Sequence, residues 1–199
     1  MEVLTVVVIL RVLAPLLILR FPITGVIVAS VLDWHDHAFI GNFEHYQIID
    51  KWLDFYFLAI CAWTVRGWKD EIAKKLAYGL FWFRAIGVVV LSLTNLEWTL
   101  LVFPDLFGFL FIFYIVYAQL SGSKQLFTSW LSTVPVMVVI FIPKMMQEYG
   151  LHLAIPYPEL APDWALAVVG WPLTARVVLV SAVPVAAIAF YAIRARRRR

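Results

Sequence analysis

Read from the amino terminus, the chain alternates long apolar runs with short polar breaks. The runs cover 3–19, 22–32, 47–65, 76–94, 98–119, 126–142 and 164–193. Most approach the roughly 20 residues that a helix needs to cross a bilayer core. Lipid offers no partner for an unpaired backbone group, so runs of this kind are expected as helices. The run 22–32 is short, and its helix is expected to continue through the polar residues that follow, facing protein rather than lipid. The last run contains Pro172, Arg176 and Pro184, so part of it is expected at the interface. The breaks fall at Arg20–Pro22, Gly41–Asn42, Arg66–Lys75, Thr94–Asn95, Ser121–Ser123 and the proline-rich 150–163. The expected fold is all-α, a polytopic integral membrane helical bundle of six or seven transmembrane helices. Residues 1–193 are expected to form a single transmembrane domain, followed by a basic C-terminal tail at 194–199.

Composition supports that pattern. The chain of 199 residues is 63% hydrophobic and 15% charged, with a mean hydropathy of +0.88. Soluble domains lie nearer half apolar and a quarter charged. Residues 1–20 carry Glu2 and no early Lys or Arg, and no small-residue cleavage site follows, so this run is read as a retained first helix. The single Cys61 excludes an internal disulfide and zinc sites built on several cysteines. It is expected as a small core residue. Trp52, Trp63, Trp68, Trp98, Trp130 and Trp164 lie near run ends, where interfacial aromatic belts form. There is no P-loop, no dinucleotide glycine pattern and no nucleophile elbow.

Charge sets an orientation. With seven spans and the C-terminus inside, Arg20, Arg66, Lys69, Lys74, Lys75, Lys124 and the five arginines of the tail are cytoplasmic, against Lys51 and Lys144 outside. Short loops rich in Lys and Arg stay in the cytoplasm. The protein is therefore expected in the plasma or inner membrane with its tail cytoplasmic. The net charge of +3 comes largely from that tail. It reads as a topology anchor that touches anionic lipid, and no nucleic-acid partner is expected.

One stretch breaks the apolar pattern. DWHDHAFIGNFEHYQIIDKWLD runs from Asp33 to Asp54. Asp33 and Asp36 are three apart, and Asp50 and Asp54 four apart, so each pair shares a helix face. If the two helices are antiparallel neighbours, four carboxylates converge near one membrane surface. Clustered carboxylates repel unless a cation intervenes, and hard divalent cations take oxygen ligands. His35, His37, His45 and Glu44 lie in the same stretch without metal-ligand spacing and are read as supporting polar residues. The charge count places the stretch on the outer side.

Asp33-x-x-Asp36 followed by Asp50-x-x-x-Asp54 resembles the core of the CDP-alcohol phosphatidyltransferases, whose signature reads D-x-x-D-G-x-x-A-R and then G-x-x-x-D-x-x-x-D. The surrounding context is also similar, with ILRVLAPLLIL in a first helix, IVASVLDWHD closing a second and YQIIDKWLDFYFL opening a third. The similarity covers residues 8–90. It implies a six-helix membrane enzyme that moves a phosphatidyl or similar phosphoryl-linked group from a CDP-linked donor to an alcohol. It further implies two divalent ions, Mg²⁺ or Mn²⁺, held by Asp33, Asp36, Asp50 and Asp54. Asp54 would alternatively serve as the catalytic base that takes the acceptor hydroxyl proton. Family relatives are often homodimers. The chain departs from the signature at His37, Ile40, Gly41 and Tyr46, where the family has Gly, Ala, Arg and Gly. The gap between the aspartate pairs is also shorter. The metal half of the signature is kept and the nucleotide half is not, so a divergent member acting in lipid metabolism on a nucleotide- or phosphate-linked donor is expected.

Arg11 and Arg84 fall inside apolar runs, where a cation must snorkel or pair. Arg84 is a candidate cofactor-binding residue, a clamp for the donor phosphate or an ion-pair partner of an aspartate in the site; the plainer alternative is an interhelical ion pair. Asp105 is expected to pair with Arg84 or Arg176, and Asn95 and Glu97 to serve a turn. The alternative to an enzyme is a non-enzymatic polytopic protein, a cation-binding transporter or an assembly partner. In it Arg11, Arg84 and Asp105 mark a polar path or structural ion pairs.

Overall fold

The computed structural model describes residues 2–40, 46–96, 98–122, 125–149, 159, 161–170 and 173–197. All regular structure among them is helical. Helices α1 (Glu2–Leu13), α2 (Pro22–Ile40) and α3 (Tyr46–Val65) belong to one compact unit, residues 1–68. Helices α4 (Glu71–Thr94), α5 (Thr99–Val102), α6 (Leu106–Ser121), α7 (Thr133–Tyr149), α8 (Asp163–Val169) and α9 (Leu173–Arg197) belong to a second, residues 69–199.

In the first unit α1 tightens into a 3₁₀ segment, Ala14–Leu19, where Pro15 cannot donate to the preceding turn. The chain reverses at Arg20–Phe21 and α2 returns along it. Gly25 permits this packing: a Cβ there would lie 2.4 Å from the backbone nitrogen of Ile18. As the sequence suggests, α2 continues past its apolar run through Asp33 to Ile40. Tyr56 Oη donates to Val12 O at 3.1 Å, fixing α3 beside α1. Ile18, Leu58, Cys61 and Val65 form the buried seam, which places Cys61 in the core.

In the second unit α4 starts at an N-cap, Asp70, and ends at Asn95 in the left-handed conformation (φ 53°). The apolar run 98–119 is not one helix. Pro104 lacks an N–H and Asp105 caps a new start by accepting from Gly108 N at 2.9 Å, so α5 ends and α6 begins there. Helix directions follow from contacts. Asp70, at the start of α4, accepts from Leu126 N and Phe127 N, just past the end of α6. Arg84, farther along α4, donates to Phe103 O just before α6. α4 and α6 are therefore antiparallel. Close beside this contact Gly87 sits against Phe103, where a Cβ would come within 2.3 Å of the ring's own Cβ. Phe113 meets Tyr191 at 6.4 Å and Arg196 Nε donates to Leu120 O at 2.7 Å, so α6 and α9 run parallel. Lys144 near the end of α7 lies over Phe109 near the start of α6, so these two are antiparallel.

Two segments are long and apolar enough to cross a membrane, Glu71–Thr94 and Trp130–Tyr149. The second comprises a 3₁₀ turn at Trp130–Ser132 and α7. Over an apolar 18-residue stretch of each, 39% of the first and 28% of the second is buried within the protein. Trp82, Ile86, Val89 and Leu93 project from α4, and Val134, Val138, Phe141 and Ile142 from α7, all exposed. The core helix of a water-soluble protein would have most of its apolar surface covered.

Candidate metal centre

Three of the four sequence-selected aspartates meet in the first unit. Asp33 comes from α2, and Asp50 and Asp54 stand one turn apart on α3. One carboxylate oxygen from each lies within 4.8 Å of the other two. Asp50 is buried, Asp54 half-buried and Asp33 exposed, so the cluster grades from protein interior to surface. The side chains of Asp36, His35 and His37, and all of Glu44 and His45, lie outside the described residues.

Arg11 of α1 lies among the three. Its Nη1 donates to Asp50 Oδ1 at 2.6 Å, and its Nη2 donates to Asp54 Oδ1 at 2.7 Å and to Asp33 Oδ1. Lys51 Nζ donates to Asp50 Oδ2 at 2.7 Å and to Asp54 Oδ2 at 3.2 Å. A guanidinium buried in an apolar helix is costly unless paired, and its fork offers five N–H donors to planar acceptors. Arg11 thus ties α1 to α2 and α3. The sequence marked Arg11 as a residue that must pair but not as a member of this cluster, and it gave Lys51 no role there. The available signal was local: Arg11 is the one cation of its run, and Lys51 sits beside Asp50 and three residues before Asp54.

Among the described residues three carboxylates face two cations, Arg11 and Lys51. Each carboxylate accepts about four hydrogen bonds, so two cations do not exhaust the group's acceptor capacity. Three oxygens from three carboxylates, mutually within 4.8 Å, form the all-oxygen donor set that hard divalent cations take. The oxygen donor set therefore fits one hard divalent ion, provided Arg11 Nη2 yields its place between Asp33 and Asp54. A second ion has no further described carboxylate to hold it.

The other candidates lie in the second unit. Arg84 is buried and donates to the Phe103 carbonyl at 2.7 Å, an interhelical tie rather than an ion pair. Asp105 is the N-cap of α6, and among the described residues no ion pair joins it to Arg84. The side chain of Arg176, like Glu97, lies outside the described residues. Asn95 serves the turn expected of it. Two features escaped the sequence reading. Asp70 is buried and accepts from three backbone amides, Ala73, Leu126 and Phe127. Lys144 and Glu148 form a buried ion pair at 2.7 Å within α7. Compared with known proteins, the chain matches no family model, no curated protein and no solved structure.

Proposed function

We propose that the protein is a membrane-embedded, divalent-metal-dependent transferase of the CDP-alcohol phosphatidyltransferase type, divergent in its donor. It moves a phosphoryl-linked group from a nucleotide- or phosphate-linked donor to an alcohol carried by a lipid or a headgroup. The alcohol oxygen forms the new P–O bond, the donor's phosphate linkage breaks, and its phosphate-bearing remainder departs as the leaving group. The observation that carries this reading is the convergence of Asp33, Asp50 and Asp54 from two helices onto one point in the first unit. Asp33 and Asp50 would hold the cation, and Asp54, half-buried, would either share it or take the proton of the acceptor hydroxyl. A bound Mg²⁺ or Mn²⁺ supplies charge stabilisation to phosphoryl oxygens. Arg11 and Lys51 hold the carboxylates in register and are the cations nearest to an incoming phosphate.

The reading includes seven membrane crossings. α4 and α7 start from the same end of the second unit, so a chain that crosses in the same direction along both must return between them. α6 provides that return, and α9 a further one. α1 with its 3₁₀ extension, α2 and α3 supply three more in the first unit.

A second reading is favoured by the reach of Arg11 to all three acids. In it the cluster is a charge clasp that locks three helices, and the protein is non-enzymatic, an assembly partner or transporter. Headgroup turnover separates the two. Purified protein in mixed micelles with Mg²⁺ or Mn²⁺ is given candidate phosphate-linked donors and labelled alcohols. The transferase reading expects metal-dependent product that falls at least a hundredfold in Asp50→Asn. Product that is indifferent to chelator and to Asp50→Asn, or absent across donors, supports the clasp.

A further inference from the structure

The second unit has one strongly basic end, assembled from segments far apart in sequence. The start of α4 contributes Lys69, Lys74 and Lys75, and the last turn of α9 contributes Arg194, Arg196 and Arg197. Asp70 joins the first group to the 125–127 connection through Leu126 N and Phe127 N. Tyr117 Oη donates to Gln125 O at 3.2 Å, tying that connection to α6. Arg196 Nε donates to Leu120 O, holding the last turn of α9 against the end of α6. Among the described residues the only exposed carboxylate at this end is Glu71, paired with Lys74 at 2.7 Å. Asp70 is buried and its carboxylate faces backbone amides.

Helix electrostatics does not account for the lysines. Cations suit a helix C-terminus, which explains the arginines of α9, but they oppose the positive end of a helix dipole. Lys74 and Lys75 stand in the first turns of α4, where Asp70 and Glu71 already serve the dipole. Trp130 and Leu131, both exposed, begin the segment that enters the same end. An exposed indole beside a basic cluster is the pattern of a headgroup-level anchor. The opposite end differs in sign: it carries Asp105 at the start of α6 and Asp163 beside Trp164, which packs on Tyr149 at the end of α7.

We propose that this end is a composite docking surface for anionic phospholipid headgroups, formed jointly by the start of α4 and the end of α9. Neither segment suffices alone, and the partner is the phosphate-bearing surface of the cytoplasmic leaflet. The proposal does not depend on the chemistry of the acidic cluster.

The test uses the full chain reconstituted in phosphatidylcholine vesicles with trace spin-labelled phosphatidylglycerol or phosphatidylcholine. Electron paramagnetic resonance reads the motionally restricted fraction of each. The wild type is expected to favour phosphatidylglycerol by on the order of fivefold at low salt, about the factor that one basic residue near an anionic surface contributes. Salt at about 1 M, with a Debye length of about 3 Å, is expected to remove most of that preference. Lys69→Gln/Lys74→Gln/Lys75→Gln and Arg194→Gln/Arg197→Gln are each expected to remove part of it, and together more than either alone. Both leave Asp70 and Arg196 in place, and the salt titration of the wild type needs no variant. Equal restriction of the two lipids in the wild type overturns the proposal. So does a full preference retained without the three lysines, which would assign it to the tail alone.

Discussion

Asp50 and Asp70 are both buried aspartates, and the two units use them in opposite ways. Asp70 answers backbone: its carboxylate accepts from the amides of Ala73, Leu126 and Phe127 and fastens the start of α4 to a neighbouring connection. Elsewhere in the second unit the pattern repeats. Arg84 answers the carbonyl of Phe103, Asp105 caps α6, and Lys144 pairs with Glu148. Each charge is matched by the group that the fold requires it to satisfy. Among the described residues Asp50 shares two cations with Asp33 and Asp54, so three acids from two helices converge on common partners. That convergence is what sets the cluster apart from the one-to-one matches of the second unit.

The comparison makes graded predictions. The largest effect is expected for Arg11→Leu, which leaves three carboxylates with Lys51 alone. Loss of one partner of a buried ion pair costs about 3–5 kcal/mol, and denaturant unfolding in detergent reads it. Millimolar Mn²⁺ is expected to restore part of the loss; stability equal to wild type would remove Arg11 from its central place. Next comes Asp70→Ala, which strands three amides and is expected to cost about 3 kcal/mol. Metal is expected to change nothing there, and a Mn²⁺ rescue would erase the contrast between the two aspartates. Lys144→Met is expected to cost about as much, but Lys144→Met/Glu148→Met should return to near wild type, because a one-to-one buried pair is replaceable by apolar packing. No single added substitution should rescue Arg11→Leu in the same way. The smallest effect, about 1 kcal/mol, is expected for Asp105→Ala, the loss of an N-cap.

Local periodicity made part of this legible. The three- and four-residue spacing of the aspartates placed each pair on one face, and Asp33, Asp50 and Asp54 do converge. The extension of α2 through its polar residues followed from the shortness of its apolar run. The partner of Arg11 was not legible. It depends on which helices pair across separations of 22 to 43 residues, and no periodicity encodes that. The break at Pro104–Asp105 was legible in principle, since a proline followed by a capping residue is a helix start, but the apolar run on both sides obscured it. Asp70 lies within the polar break Arg66–Lys75, and nothing in its local sequence singles it out. Its role comes from the approach of the 125–127 connection, a tertiary fact.

A cation centre at Asp33, Asp50 and Asp54 differs from a clasp already satisfied by Arg11 and Lys51 in whether it takes up Mn²⁺. Titration of the purified full chain with Mn²⁺, followed by electron paramagnetic resonance, is expected to show saturable binding that is lost in Asp50→Asn and unchanged in Glu148→Gln. Binding that is absent from the wild type, or that survives Asp50→Asn undiminished, contradicts the cation centre.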